Sequence, residues 1–343
     1  MPVQDAATEP FISVIIVCYN YAHLLPRTLD SCARQTFRDF ELVCVDNASE
    51  DNTTEVFEQF AAEHPNIETK IITLDKNLGA VHGRNAGLDN ATGKYIMFND
   101  ADDWMDDDCL EVLAARAEET DEDQIYGQLR EVMPDGKVFR ERTFVKHPSE
   151  HPAIVLQCAI FKRALIEEHH LRMEEGLAFT DDWYFNLKFS LFSKKIGVVH
   201  KTLYNYYFNS LSATATKELF GGDMVKWKCQ VKICADAAQK TDDGHFKDEI
   251  EYHLIIDYYT RVLQAFMWLD KDAGREAYAR LRGAVTASFP NYMKNPLFHP
   301  FGNGFHVPAN FCRLILRELE RMGWMTVMQK AVKLFKHTKI IRF

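Results

Sequence analysis

The sequence predicts an α/β fold: a mostly parallel central sheet with flanking helices, followed by a helical C-terminal region. Two observations carry this expectation. Over the first hundred or so residues, short apolar runs alternate with amphipathic stretches, the mark of repeated strand–helix units. The apolar runs are also continuous and not alternating, as in strands covered by helices on both faces. At 343 residues, 47% hydrophobic and 26% charged, the chain has the composition of a folded globular protein. Its length corresponds to about two domains.

Taken in order, FISVIIVC (11–18) is the first strand, and Tyr19-Asn20 a polar turn into a helix over 23–36, with Pro26 in its first turn. ELVCVD (41–46) is a second strand that ends in an acid. Asn52 and Glu55 then have the spacing of a capping box before VFEQFAAEH. IETKIITL (67–74) reads as a third strand, 79–91 as a helix ending near Gly93, and KYIMFN (94–99) as the fourth strand. Beyond it, PDGK predicts a hairpin turn between QIYGQLREVM and KVFRERTF. A helix is expected over 158–170, a polar loop entering another helix within 176–192, and short strands with a hydroxyl-rich loop over 194–216. From 217 the pattern is helical, interrupted by NPLFHPFGNG (295–304).

Bulk properties narrow the function. A net charge of −10 argues against a nucleic-acid partner, which would require clustered Lys and Arg. The eight cysteines are scattered with no C-x-x-C pair, so reduced, buried thiols are expected, not a disulfide framework or zinc site. No signal-peptide pattern opens the chain, and no apolar run approaches the ~18 residues of a membrane span, which predicts a cytoplasmic protein.

In parallel sheets ligands bind outside the carboxyl ends of the strands. Tyr19, Asp46, the 75–84 loop and Asp100 to Asp103 all fall there. The fourth strand runs into FNDADDWMDDD (98–108), with Asp at 100, 102, 103, 106, 107 and 108. So dense a run of like charge calls for cations nearby. Asp106 to Asp108 fit the start of a helix at 109–119, where carboxylates favour the positive dipole end. A calcium loop is excluded, because Trp104 and Met105 occupy its fifth and sixth positions and a strand precedes it. Asp100-Ala101-Asp102 forms a D-x-D whose carboxylates suit Mg²⁺ or Mn²⁺ completed by water and substrate phosphates.

Read together, ISVIIVCYNYAHLLPRTLDSCARQTF, FELVCVDNASEDNT and NLGAVHGRNAGLDNATGKYIMFNDADDW resemble the family two glycosyltransferases with the A-type (nucleotide-diphospho-sugar transferase) fold. The resemblance covers roughly residues 10–216 and extends to EGLAFTDDWYFNLKF and LYNYYFNSLSAT. It implies a nucleotide-binding half (10–104) and an acceptor half (105–216); outside it a flexible N-terminus (1–9) and the helical C-terminal region (217–343) are expected. It further implies that Tyr19 lies beside the nucleotide base and Asp46 hydrogen-bonds the uracil edge. Arg84 would lie near base and phosphates, with Asp100 toward ribose or metal and Asp102 on the metal. In TDD (180–182), Asp182 would be the general base, with Asp181 as the alternative. His200 lies where some relatives place a third metal ligand. Cys18 replaces a frequent Pro, and Asn47 a frequent second Asp, a change that bears on base contact and donor choice.

The expected function is metal-dependent (Mn²⁺ or Mg²⁺) inverting transfer of a hexosyl or N-acetylhexosaminyl group. The donor would be a nucleotide-sugar, UDP-linked by preference, and the acceptor a saccharide, free or lipid-linked, in bacterial surface-polysaccharide synthesis. Two alternatives stand beside it: a non-catalytic nucleotide-sugar binding protein, and a sugar nucleotidyltransferase, which the absence of a Gly- and Lys-rich loop after the first strand disfavours. Residues 313–343 carry eight basic and two acidic side chains. Over 324–343 the pattern fits either a peripheral helix on the inner face of the membrane or a helix packed on its own domain.

Overall fold

The computed structural model describes residues 9–142, 156–174, 181–190, 192–208, 244–268 and 271–294, with short stretches between 231 and 239 and at 320–321. The chain divides into two compact units, Met1–Thr216 and Lys217–Phe343.

In the first unit, β1 (Ile12–Cys18), β2 (Phe40–Asp46), β3 (Glu68–Thr73) and β4 (Tyr95–Asp100) form a parallel sheet in the order β3-β2-β1-β4. Helices α1 (Leu25–Ala33), α2 (Thr53–Glu63) and α3 (Ala80–Asn90) make the crossovers. Because side chains alternate along a strand, Ile12, Val14, Ile16 and Cys18 join one apolar cluster with Leu25, Leu29 and Phe57, while Ile15 joins another with Val81 and Leu88. Burial on both faces is what the apolar runs encode.

The sheet then becomes mixed. After β5 (Trp104–Met105) and α4 (Cys109–Thr120) come β6 (Gln124–Val132), β7 (Val138–Arg142) and β8 (Ala159–Lys162). α5 (Arg163–Glu168), α6 (Asp181–Ser190) and β9 (Ile196–Tyr207) follow. The strand order continues β4-β8-β6-β9-β5, with β8 antiparallel to both β4 and β6, and β6 parallel to β9. β7 pairs antiparallel with β6 across the PDGK turn. Phe98, Phe161, Phe185 and Phe189 pack edge-to-face between β4, β8 and α6, which ties the later, mixed part of the first unit to the end of the parallel sheet.

Three expectations change. The segment 158–170 is not one helix: its first part is β8, inserted between β4 and β6, and only Arg163–Glu168 is helical. A short apolar run has no periodicity that separates the two, and pairing with two strands decides it. Residues 196–207 form one long strand paired along β6 in place of several short ones. Asn52 is the N-cap of α2 but its side chain does not cap; Asp51 accepts the Thr53 N–H at 3.1 Å instead. The described cysteines are buried and none is in a disulfide. The hydroxyl-rich segment 209–216, the 295–304 linker and the tail 324–343 lie outside the described residues.

In the second unit, α7 (Gly244–Trp268) packs with α8 (Lys271–Ser288). The buried Glu320 carboxylate accepts hydrogen bonds from the hydroxyls of Tyr258, Tyr259, Tyr278 and Tyr292 at 2.7–3.1 Å, with Arg282 Nε at 3.3 Å. Among the described residues no helix is long and apolar enough to cross a membrane.

A second buried carboxylate organises the edge of the parallel sheet. Glu41, fully buried on β2, accepts from Ser13 Oγ (2.5 Å), Thr92 N (2.6 Å) and Thr92 Oγ1 (2.9 Å) and pairs with Lys70 Nζ at 2.6 Å. Burial raises its pKa, but Lys70, Ser13 and Thr92 outweigh that and hold it below the usual carboxylate range. Its contribution is therefore present above the unfolded value and lost as pH falls through the lowered folded one. Glu41→Gln should cost about 2–4 kcal/mol at neutral pH, measured by urea unfolding. The gap to wild type should hold down to about pH 4.5, the ordinary glutamate value, and close as pH falls further through the lowered folded one.

Candidate active site

The site lies at the carboxyl ends of β1, β2 and β4, where three loops interlock. After β1, Asn20 adopts a left-handed φ of 57°; its N–H donates to Ser49 Oγ (3.0 Å) and its Oδ1 accepts from Glu50 N (2.7 Å). Asp51 accepts from Ala22 N at 3.1 Å, so the loops after β1 and β2 hold each other. Tyr19 stands at this rim, 39% exposed. Asp46 is buried, and both its oxygens are engaged: Oδ1 accepts from Ser49 N at 2.8 Å and Oδ2 from the Thr54 hydroxyl. Its carboxylate thus holds the turn after β2.

Helix α3 carries Arg84 into the site. Gly83 and Gly87 lie one turn apart on the face against β1, where an added Cβ would fall 2.4 Å from Val17 Cγ1 and 2.4 Å from Ile15 Cγ2, respectively. Only glycine lets the helix approach the strand this closely. From there Arg84 Nη2 reaches Asp100 Oδ1 at 2.9 Å and Nη1 reaches Asp182 Oδ1 at 2.8 Å. One guanidinium therefore bridges the end of β4 and the start of α6. Gln157, itself buried, donates to the other Asp100 oxygen at 2.5 Å. Asp181 lies beside Asp182 at the start of α6, but its side chain is outside the described residues.

The acidic loop after β4 is shaped through its backbone. The Thr28 hydroxyl contacts the carbonyls of Ala101 (2.8 Å) and Asp103 (2.7 Å), and Arg27 Nη2 donates to the Asp102 carbonyl at 2.6 Å. The Arg27 guanidinium is sandwiched between Trp104 and Tyr207, 4.0 and 4.3 Å from their centroids. Asp103 points inward, accepting from Tyr204 Oη (3.0 Å) and Tyr207 N (2.7 Å); burial, then Asp100 and Asp102, push its pKa well above the usual range. The remaining acids have cations: Asp106 pairs with Arg130, Asp107 with Arg34 (3.0 Å) and Asp108 with Lys201. These three precede α4, as expected, and are held mainly by ion pairs.

Burial and then the charge of Asp100 raise the Asp102 pKa to about 6. Among the described residues no side chain hydrogen-bonds its carboxylate. Two adjacent hard-oxygen donors, one of them short of positive charge, fit Mg²⁺ or Mn²⁺, which complete their shells with water and phosphate oxygens. Among the described residues no group of three or more His, Cys, Asp or Glu side chains could hold a metal by itself. His200 Nδ1 instead lies 3.3 Å from Gln128 Nε2. Gln157, Arg27 and Tyr204 carried no signal in the sequence; the helix expected over 158–170 concealed the strand beside which Gln157 sits.

Comparison with known proteins agrees with this architecture. The family model "Glycosyl transferase family 2" matches residues 13–176. The putative glycosyltransferase EpsH of Bacillus subtilis is 27% identical, over 62% of this chain and 65% of its own length, so the chain spans just under two thirds of that relative. A PGL/p-HBAD biosynthesis glycosyltransferase of Mycobacterium tuberculosis is 36% identical, over 52% of this chain and 69% of its own length. Among solved structures, S. aureus TarS 1-349 in complex with UDP-GlcNAc superposes with a TM-score of 0.75 at 18% identity, covering 96% of this chain and 92% of that one. The mannosyltransferase PcManGT from Pyrobaculum calidifontis, in complex with GDP-Man and Mn²⁺, gives 0.55 at 19%, covering 96% and 87%. With the parallel half-sheet, the acidic loop at its carboxyl end and these likenesses in one chain, the protein belongs to glycosyl transferase family 2.

Proposed function

We propose that the protein transfers a hexosyl or N-acetylhexosaminyl group from a UDP-linked donor to a saccharide acceptor, with inversion and with Mn²⁺ or Mg²⁺. We place it in the construction of a cell-surface polysaccharide. The observation that carries this reading is the Arg84 bridge between Asp100 and Asp182. It gathers the acid of the D-x-D segment, a phosphate-compatible cation and a candidate base at the carboxyl ends of the strands. The relatives' glycosyltransferase names, and the UDP-GlcNAc and Mn²⁺ held by structural neighbours, support the donor class and the cation.

Each residue then has a task. Asp100 and Asp102 would hold the metal, which when bound neutralises charge developing on the leaving diphosphate. Arg84 offers N–H donors to the same phosphates. Asp182 takes the proton from the acceptor hydroxyl as that oxygen attacks the anomeric carbon from the face opposite the leaving group. With one displacement and no protein nucleophile, the configuration inverts. Rim residue Tyr19 is assigned to the base, and Asp46 shapes the turn beneath it.

The test is nucleotide release from UDP-, GDP- and dTDP-sugars with Mn²⁺, with cell-envelope extract as acceptor. One donor should be consumed. Asp182→Asn should lower kcat by about 10²–10⁴-fold with little change in UDP affinity. Asp102→Ala should remove metal-dependent cleavage, and Arg84→Ala should lower kcat/KM by about 10²-fold. Donors that bind with metal yet are never cleaved would leave the non-catalytic binding protein as the reading.

A further inference from the structure

Asn47 stands just past β2, 2% exposed, and its backbone N–H donates to the Cys18 carbonyl at 2.9 Å. Its side-chain Nδ2 makes two hydrogen bonds, to Asn77 Oδ1 at 3.0 Å and to the Gly79 carbonyl at 3.1 Å. The direction of both bonds is dictated by their partners. A carbonyl only accepts, so the atom facing Gly79 must be the amide nitrogen. The oxygen of Asn77 is fixed in turn, because Gly79 N–H donates to it at 2.9 Å. Among the described residues Asn47 Oδ1 is buried without a hydrogen-bond partner, so the useful half of this side chain is the donor.

Gly79 is the N-cap of α3, with φ of 94°, and its carbonyl also accepts from His82 N (3.2 Å) and Gly83 N (3.4 Å), the first turn of that helix. Arg84 follows directly. We infer that Asn47 is a positioning residue: by clamping the 77–79 loop it sets the start of α3, and through it the reach of Arg84 to Asp100 and Asp182. The inference rests on the donor-site reading given above. It also assigns the Asn at this position a chemical reason, since an aspartate has no N–H to give and would set acceptors against Gly79 O and Asn77 Oδ1.

The clamp makes the two asparagines respond oppositely to the same substitution. Among the described residues Asn77 is engaged through its oxygen alone, so Asn77→Asp keeps the acceptor and should behave as wild type, whereas Asn47→Asp removes the donor. Amide hydrogen exchange over 77–84 reads the clamp directly, and UDP titration with Mn²⁺ reads its consequence. Asn47→Asp and Asn77→Ala should exchange at least tenfold faster over 77–84, with exchange over β1 and β4 unchanged. Both should bind UDP about tenfold more weakly, and Asn77→Asp should change neither. Equal effects of the two Asn→Asp variants, or unaltered exchange in Asn47→Asp, would overturn the inference. Altered exchange with unaltered UDP affinity would overturn the link to Arg84. Failure of the wild type to bind any nucleotide would count against the donor-site reading, and the exchange comparison would still decide the clamp.

Discussion

Arg84 joins the two parts of the first unit at a single guanidinium. Asp100 ends a strand of the parallel sheet and Asp182 begins a helix of the later, mixed part, and both carboxylates need positive charge to lie close together. A planar fork with several N–H donors can face two acids at once, where a lysine would supply only a point charge. The devices that aim this side chain are distributed: two glycines press α3 onto β1, a positive φ at Gly79 starts the helix, and Gln157 turns Asp100 toward the guanidinium.

Charge elsewhere in the acidic run is settled locally. Asp106, Asp107 and Asp108 each find a basic partner, and Asp103 retreats into the interior against tyrosine. What remains is Asp102, half-buried beside Asp100 and short of compensation. Density of like charge in a sequence is thus not the same as density in space. Each acid leaves the backbone in its own direction, and only those sharing a face at the strand end must be satisfied together.

How much of this could be read from the residues depends on the kind of information each feature needs. β1, β2 and β4 were legible because burial on both faces leaves a nearly continuous apolar run; FISVIIVC was expected over 11–18 and β1 is Ile12–Cys18. β8 was not, because four residues have no period of their own and became a strand only by pairing with β4 and β6. Asp100 and Asp102 were nominated by residue type and position and Arg84 and Asp182 by the family resemblance, and the fold gathers Asp100, Arg84 and Asp182 through direct ion pairs. For Asp46, spacing could not separate a contact to a base from the bracing of a turn, and both its oxygens in fact brace the turn. The partners Gln157, Arg27 and Tyr204 come from distant segments, so their roles exist only in the folded chain.

The grip of α1 on the loop after β4 has a further implication. Thr28 and Arg27 contact carbonyl oxygens of residues 101 to 103, groups that every amino acid possesses. The path of that loop is therefore written mainly outside it, in a helix that precedes it by some seventy residues. Shape and chemistry are separately encoded here, so substitutions at the outward-facing acids can change the charge that the loop presents while the backbone keeps its course. A scaffold arranged in this way can diversify its substrates by changing a few side chains at a fixed address.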